Sequence, residues 1–428
     1  MLTAEENELL TRVTGDAPMG RMMRRYWIAA CLSEEIPEPD CDPVRVRLFG
    51  EDLVAFRDSD GRVGLLEEKC PHRRASLFYG RNEECGLRCL YHGWKFDVDG
   101  NTLEMSSEPP GTGLADKVKH KAYPVKEWGG FVWTYMGEPA TMPAFEPPFF
   151  APTERTNVAT FKVVVNCNWA QGVEGAIDSA HSSSLHSTDM PPAMVGGSTA
   201  TGTAWQRPST DKSPRLQVQP THYGFQYAAI RRPIKNANTH DYVRITHFVA
   251  PHHVLIPPNN VYNVAQMNVP VDDEHHVLYI IAWNDKGGGV DQEAWRKFTG
   301  MQLGIDLDSR YRMINNREND FGQDRKAMRL GSFTGIRGFP NQDIAMWETM
   351  GAIGERHREI LGASDQAVVE FRRGMVAFVK EFAKGAEPPA QFSQEERASI
   401  RAYEGIVTKE TDWRELGGAQ KPRGQAAE

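Results

Sequence analysis

The sequence predicts an α+β protein, in which an all-β unit precedes a larger domain that combines a sheet with helices. The chain has 428 residues, which is too long for one ordinary domain, so we expect two. From about residue 44, apolar residues alternate with polar ones between short turns, which is typical of a small antiparallel sheet. Helical periodicity returns near the C-terminus. The predicted division is a helical segment that packs on the second domain, then the β unit, then the second domain, over residues 1–43, 44–150 and 151–428.

Local patterns place the elements of the first half. Thr3 and Glu6 form a capping-box pair at the start of a helix over residues 3–13. Three strands are expected within residues 44–66, because apolar residues alternate there with arginines and two turns rich in Gly and Asp interrupt them. The proline-rich residues 142–150 predict the linker out of the β unit.

The second half predicts an antiparallel sheet followed by helices. Apolar and β-branched runs between turn residues mark the strand candidates 160–165, 215–218, 223–231, 242–250 and 276–283. Helical patterns cover residues 292–301, 343–361 and 365–384. The polar stretch 306–340 is expected to be a long connection, and about the last thirty residues are expected to be loosely ordered.

Composition and charge exclude several classes of protein. Hydrophobic residues make up 40% and charged residues 25% of the chain, and no apolar run approaches the roughly 18 residues of a membrane span. The acidic N-terminus lacks the order of a secretory signal, so we expect a cytoplasmic protein. The net charge of -8 argues against nucleic acid as a partner. The six cysteines are therefore expected to be metal ligands or free thiols rather than disulfides.

Two Cys-His pairs lie within the predicted β unit. Cys-Pro-His at residues 70–72 is followed, after sixteen residues, by Cys-Leu-Tyr-His at residues 89–92. Each pair offers one thiolate and one imidazole, and two such pairs could bind zinc tetrahedrally. They could also bind a [2Fe-2S] cluster, with the cysteines on one iron and the histidines on the other. Cys85 lies within the spacer and matches no ligand position.

A second constellation lies in the larger domain, where Asp178, His181 and His186 bring one carboxylate and two imidazoles close together in sequence. On a helix, Asp178 and His181 share a face because they are three residues apart. His186 overshoots one turn of about 3.6 residues, so a local widening or the end of the helix would have to bring it round. Two neutral imidazoles and a carboxylate form the facial triad that holds iron(II) and leaves positions open. The alternative is a helix with two polar histidines.

The two constellations together resemble the catalytic subunits of Rieske non-heme iron ring-hydroxylating oxygenases, and the resemblance runs over most of the chain. It implies a Rieske [2Fe-2S] cluster held by Cys70, His72, Cys89 and His92. It also implies a mononuclear non-heme Fe(II) held by His181, His186 and Asp343. By itself, Asp343 is equally consistent with an ordinary helix cap. Asp178 resembles the catalytic aspartate that bridges a cluster histidine of one subunit to an iron histidine of its neighbour.

The same resemblance implies the architecture and the partners. The second domain resembles a helix-grip fold, in which an antiparallel sheet surrounds a long helix. The subunits are expected to form a homotrimer or stacked trimers. Gly111 and Gly113 lack the third glycine of a dinucleotide-binding fingerprint, so electrons from NADH are expected to arrive through a separate flavin/iron-sulfur reductase. Gly175 departs from the family, which often has Asn at this position.

Three segments resemble the phthalate 4,5-dioxygenase branch of the family, namely residues 70–77, 174–181 and 335–343. An aromatic carboxylate needs cationic partners, and the planar fork of Arg matches a carboxylate. The predicted substrate-binding residues are Arg244, in mid-strand where an unpaired charge is costly, Arg207 and Ser179. Arg231 and Arg232 are alternatives, but their neighbours favour a surface turn.

The reaction that the resemblance implies is the addition of both atoms of O2 to phthalate, which gives the cis-4,5-dihydrodiol. Alternatives within the family are a dioxygenase acting on isophthalate or terephthalate, and a monooxygenase or demethylase of an aryl carboxylate. Two alternatives come from other classes. One is an electron carrier like a Rieske ferredoxin, which needs no second domain, and the other is a structural zinc protein.

Overall fold

The computed structural model of the chain describes residues 2–148, 150, 158–196, 199–201, 204–257, 262–284, 289–390 and 394–416. The chain divides into two compact units. One unit is Val13–Pro147, and the other combines Met1–Arg12 with Pro148–Glu428. We refer to them as the β unit and the catalytic unit.

The helices and strands are numbered in chain order. The α-helices are α1 Ala4–Thr11, α2 Pro18–Met23, α3 Trp169–Ile177, α4 Gln292–Thr299, α5 Arg325–Arg329, α6 Phe339–Thr349, α7 Gln366–Phe382 and α8 Gln394–Ser399. The strands of the β unit are β1 Trp27–Leu32, β2 Val44–Leu48, β3 Glu51–Arg57, β4 Val63–Glu67, β5 Arg81–Glu83, β6 Gly86–Arg88, β7 Trp94–Phe96, β8 Thr102–Met105, β9 Val125–Trp128 and β10 Phe131–Tyr135. The strands of the catalytic unit are β11 Val158–Val165, β12 Thr199–Thr201, β13 Ala204–Gln206, β14 Arg215–Thr221, β15 Gly224–Arg231, β16 His240–Val249, β17 His253–Ile256, β18 Asn263–Pro270, β19 His276–Trp283 and β20 Tyr403–Thr408.

The β unit contains three small antiparallel sheets, with strand orders β2-β3-β4, β5-β6-β7-β8 and β1-β10-β9. The three strands expected within residues 44–66 are present as β2, β3 and β4. Their inward residues, such as Val54 and Phe56, pack with Leu77 and Phe96 in one core that also contains the two motif cysteines. This core holds the Cys-His loops in place.

The N-terminal boundary differs from the predicted one. Strand β1 pairs with β10, so the chain joins the β unit at Val13, whereas the sequence analysis placed residues 1–43 on the second domain. Only α1 and its neighbours, within Met1–Arg12, belong to the catalytic unit. The difference has a simple cause, because a strand at residues 27–32 follows the end of α2 and finds its partner far away in sequence.

The catalytic unit is built on an antiparallel sheet, ordered β11-β19-β18-β17-β16-β15-β14, with β20 paired to β16. Helix α3 packs against β17 and β18, and the longest helix, α7, packs against β14 and β15. This sheet with helices on it confirms the α+β fold class. Strands β17 and β18 were missed by the sequence analysis, and β20 lies in the predicted C-terminal tail. Residues 417–428 of that tail lie outside the described residues.

The C-terminal helices are shifted relative to their predicted bounds. Helix α6 begins at Phe339 rather than Asp343, because Pro340 fits the first turn of a helix. It ends at Thr349, and Gly351, with φ of +99°, stops the chain from continuing. The predicted connection 306–340 contains the short helix α5. Within the parts of the chain that the structure describes, no helix combines the length and apolarity needed to cross a bilayer.

A buried carboxylate connects α3 to the rest of the catalytic unit. Glu174 Oε1 accepts hydrogen bonds from Arg356 Nε at 2.7 Å and from Arg372 Nε at 2.8 Å. Arg356 Nη1 also donates to Asn7 Oδ1, at 3.1 Å. Burial alone would raise the pKa of Glu174, but the two arginines hold it below its ordinary value. One charged group therefore joins α3, α7, α1 and the loop that carries Arg356.

We expect Glu174→Gln to lower the free energy of unfolding by about 3–5 kcal/mol, because it leaves the buried Arg356 without its carboxylate and leaves Arg372 with Glu359 alone. Urea denaturation of the full chain measures this. The control is Glu381→Gln, which breaks an exposed pair with Lys384 and should change stability little. Equal effects of the two substitutions would contradict the central role of Glu174.

Candidate metal centres and substrate cavity

The two Cys-His pairs lie on loops with the same backbone pairing. In the first loop, Cys70 N donates to Ala75 O and Arg74 N donates to Cys70 O. In the second, Cys89 N donates to Trp94 O and Gly93 N donates to Cys89 O. Each loop thus closes tightly on its cysteine, so that the following histidine projects from the loop. Gly93 has φ of +75°, a conformation that glycine adopts without strain.

The side chains of these loops converge. The rings of His72 and His92 are 4.4 Å apart between centroids, and Trp94 stacks on His72. Cys70 and Cys89 are buried, and burial raises the pKa of the Cys70 thiol to about 11. A thiolate there needs a positive partner such as a bound metal. His72 Nδ1 is buried without a hydrogen-bond partner, as expected of a ring nitrogen that ligates a metal.

These four side chains offer two thiolates and two imidazoles, which is the ligand set of a Rieske [2Fe-2S] cluster, with the cysteines on one iron and the histidines on the other. Among the residues that the structure describes, His181, His186 and Asp343 form a group whose ligand atoms lie within 4.8 Å of one another.

In the catalytic unit, α3 ends just before the second constellation. Asn168 caps the start of α3, and the helix stops at Ile177. Asp178 is already extended, with φ of -82° and ψ of 107°, and its Oδ1 accepts from Ala180 N at 2.8 Å. A short 3-10 turn then begins at His181. The prediction that Asp178 and His181 share a face of one helix is therefore wrong. The alternative that the end of the helix allows His186 to reach the same side as His181 is confirmed.

These turns and α6 together bring three ligand groups to one point. His186 Nε2 is 3.1 Å and His181 Nε2 is 3.6 Å from Asp343 Oδ1. Asp343 lies in the first half of α6 rather than at its start. On the other side of the ring, His181 Nδ1 is 3.4 Å from Asp178 Oδ2. Two imidazoles and one carboxylate on one side of an open space match the facial triad of an iron(II) site.

A cavity opens beside this group. Its wall includes the three ligand groups, Asp178, Ser179 and Arg244, and an apolar part formed by Met190, Val264, Ile280, Phe298 and Trp347. At Gly175, an added Cβ would lie 2.3 Å from Trp347 Nε1. The indole of Trp347 thus leaves no room for a side chain at Gly175. Sequence reasoning noticed Gly175 but had no signal for its partner.

The predicted substrate residues lie close together but have different surroundings. Ser179 and Arg244 line the cavity, whereas Arg207 is not among its lining residues and reaches Ser182 Oγ, at 3.4 Å. Arg231, expected on a surface turn, is buried and donates to Ser179 O at 2.7 Å. Arg232 is exposed, as expected. The prediction for Arg231 is wrong because its side chain turns inward from the end of β15.

The three buried arginines perturb one another. Burial lowers the pKa of Arg231 to about 10, and the charges of Arg244 and Arg207 add to this effect. Burial and Arg244 lower the pKa of Arg207. For Arg244, burial acts in the same direction, but Tyr242 and Glu404 outweigh it and raise the pKa. Three buried guanidinium groups therefore lie near one another in this part of the catalytic unit.

Comparison with known proteins identifies the family. Residues 26–125 match the Rieske [2Fe-2S] domain family, which agrees with the start of β1. Residues 134–428, more than half of the chain, match the family of LigXa C-terminal domain-like proteins. The chain belongs to the Rieske non-heme iron oxygenases. Such an oxygenase carries a [2Fe-2S] cluster in its Rieske domain and a mononuclear non-heme iron in its catalytic domain. The electron-carrier and zinc-protein alternatives are therefore wrong.

Similar proteins include ring dioxygenases. The chain is 60% identical over 415 residues to the oxygenase subunit of phthalate 4,5-dioxygenase from Pseudomonas putida, which covers 97% of this chain and 94% of that protein. It is 35% identical to the oxygenase subunit of 3-chlorobenzoate-3,4-dioxygenase from Comamonas testosteroni, over 96% of this chain and 97% of that protein. A solved oxygenase–ferredoxin complex of carbazole 1,9a-dioxygenase shares the fold, with a TM-score of 0.54, 21% identity and coverage of 90% of this chain and 96% of that chain.

We expect Cys89→Ser to lose the Rieske cluster and Cys85→Ser to keep it. Cys85 serves as a matched control because it lies in the turn between β5 and β6, outside the two ligand loops. Iron and sulfide analysis and the EPR spectrum of the reduced protein measure the cluster. A normal cluster in Cys89→Ser would remove Cys89 from the ligand set.

Proposed function

We propose that this chain is the oxygenase component of a phthalate 4,5-dioxygenase system. The observation that carries the proposal is the presence of Arg244 among the lining residues of a cavity that also includes the proposed facial triad and an apolar part. Such a cavity suits a flat arene with carboxylate groups at one edge. The 60% identity to the Pseudomonas putida subunit, over nearly the whole of both chains, supports the same substrate.

The charges near the cavity suit a dianion. Arg244 lines the cavity. Burial and the charge of Arg244 lower the pKa of both Arg207 and Arg231. Glu404 is opposite Arg244 in the pairing of β16 with β20, and it accepts a hydrogen bond from Tyr242 at 2.6 Å. Glu404 therefore lies near Arg244, and its charge raises the pKa of that guanidinium group. Phthalate supplies two further negative charges, and Arg can hold a carboxylate with two parallel hydrogen bonds.

The metal ligands that we assign follow from the two sites. The cluster ligands are Cys70, His72, Cys89 and His92, and the ligands of the mononuclear iron are His181, His186 and Asp343. When bound, the cluster supplies electrons and the mononuclear iron activates O2. The reaction consumes phthalate, O2, two electrons and two protons, and it forms two C–O bonds at adjacent ring carbons to give the cis-4,5-dihydrodiol.

Asp178 is the positioning residue of this reaction. Its Oδ2 lies 3.4 Å from His181 Nδ1, which orients the ring and leaves Nε2 toward the iron position. Its other oxygen is held by Ala180 N, so the carboxylate has a fixed plane. In a homotrimer or stacked trimers, the same carboxylate would accept a second hydrogen bond from a cluster histidine of the neighbouring subunit.

Electrons come from a separate partner in this proposal. The related carbazole oxygenase forms a complex with a ferredoxin, which supports a protein donor. We assign that role here to a flavin/iron-sulfur reductase that oxidises NADH.

A single-turnover experiment tests the function. The reduced, iron-loaded protein is exposed to O2 with phthalate, isophthalate, terephthalate or a neutral arene, and the products are identified by mass spectrometry and NMR. We expect the cis-dihydrodiol from phthalate. Turnover of another isomer, or a phenol or demethylated product, would overturn the assignment in favour of the related dioxygenases or monooxygenases.

Arg244→Ala should raise KM for phthalate about ten- to a hundredfold, because one charged hydrogen-bond partner of the carboxylate is lost. Steady-state kinetics measure this. The exposed Arg232→Ala is the control and should leave KM unchanged. An unchanged KM in Arg244→Ala would remove this residue from the substrate site.

Asp178→Asn should leave the iron content and the cluster spectrum normal. It should slow the oxidation of the reduced cluster by O2 and substrate by at least about tenfold, which is the usual loss when the partner of a metal-ligating histidine is changed. Stopped-flow absorbance of the cluster follows this step. Oxidation at the normal rate would exclude the bridging role of Asp178.

A further inference from the structure

The second iron histidine has a partner of a different kind from the first. His186 Nδ1 lies 2.8 Å from Gln342 Oε1, and both side chains are buried. Gln342 Nε2 in turn lies 2.8 Å from Asp189 Oδ2 and 2.9 Å from Ile336 O. His181 is oriented by the carboxylate of Asp178, whereas His186 is oriented by a neutral amide.

The orientation of this amide follows from its partners. A carboxylate and a backbone carbonyl can only accept, so the NH2 group of Gln342 must face Asp189 and Ile336. Its oxygen must then face His186, and an oxygen acceptor requires Nδ1 to carry the proton. The neutral ring therefore has its lone pair on Nε2, the atom that lies 3.1 Å from Asp343 Oδ1 at the iron position.

The geometry points to Gln342, held by Asp189, as a positioning residue that sets the tautomer and the ring plane of His186 for iron binding. The inference rests on the proposed mononuclear iron ligands. Gln342 and Asp343 are neighbours on α6, so one helix supplies both an iron ligand and the partner of another. Asp189 follows His186 in a turn in which Asp189 N donates to His186 O. The ring, the amide and the carboxylate thus form a closed set of hydrogen bonds.

This arrangement makes the two histidines chemically unequal. A carboxylate partner increases the basicity of His181, while a neutral amide donates no charge to His186. The negative charge of Asp189 reaches His186 only through the polarised amide. Gln342 therefore orients the ring of His186 and also separates it from the carboxylate of Asp189, which does not contact Nδ1 directly.

The test compares Gln342→Met with Gln171→Met. Gln171 is a matched control, because both glutamines are 2% exposed and both make three hydrogen bonds through the side-chain amide. Gln171 bonds to Trp347 O, Gly351 O and Gly354 N, and so it also contacts α6 and the residues after it. Both substitutions replace a buried glutamine amide by a methionine side chain of similar length. Only Gln342→Met removes the partner of His186.

Iron affinity is measured on the full chain by adding Fe(II) in competition with a chelator. We expect Gln342→Met to weaken Fe(II) binding about ten- to a hundredfold and to change the EPR spectrum of the nitric oxide complex, recorded with the cluster oxidised. Gln171→Met should change neither. Normal Fe(II) affinity and EPR in Gln342→Met, or an equal loss in Gln171→Met, would overturn the inference.

A charge exchange gives a second test. Gln342→Glu places a carboxylate against Asp189 and should weaken Fe(II) binding. In the double variant Gln342→Glu with Asp189→Asn, the new amide can donate to Glu at residue 342, which should restore part of the affinity. The absence of any rescue would overturn the role of Asp189. If the wild-type chain itself bound no Fe(II) outside the cluster, the proposed metal centre would fail. If the wild type bound Fe(II) and Gln342→Met bound it equally well, only the present inference would fail.

Discussion

The buried carboxylate of Glu174 is the interaction on which the catalytic unit depends. It lies on α3 and holds Arg356 and Arg372, which come from distant parts of the chain. A buried charge of this kind is tolerated only when its partners are in place, so it ties the position of α3 to the correct folding of α7. The end of α3 then decides where Asp178 and His181 lie. The iron site is therefore anchored by an ion pair outside it.

Each histidine of the proposed iron site has its own partner at Nδ1. His181 faces Asp178, and His186 faces Gln342. Partners at Nδ1 leave Nε2 of both rings for the proposed iron. The difference between a charged and a neutral partner matters because Asp178 is also proposed to connect with the cluster of a neighbouring subunit. The proposed path for electrons thus runs through Asp178 beside His181, while Gln342 supports His186 on the other side of the proposed triad.

The positive charges near the cavity suit the proposed dianionic substrate. Burial and the positive charge of neighbouring arginines lower the pKa of both Arg207 and Arg231, because like charges lie close together here. Glu404 offsets part of this charge near Arg244. A dianionic arene would offset the rest, so the binding energy for a dicarboxylate would arise partly from relieving repulsion among the arginines. A neutral arene would gain nothing from it.

The sequence by itself determined the groups whose chemistry depends on local spacing. The Cys-His pairs and the Asp178–His186 segment were identified because short loops and turns keep such ligands close, whatever surrounds them. Asp343, far along the chain from both, was named only through the family resemblance. It also indicated the α+β class, since strand and helix periodicities are local. It failed where the outcome depends on contacts between distant segments. Strand β1 joins β10, β20 joins β16, and Arg231 turns inward toward Ser179. The tertiary structure alone decided that Trp347 fills the space beside Gly175 and that Gln342 supports His186. The reason is physical: a local pattern records a residue's own preferences, while a partner that is distant in sequence is chosen by packing.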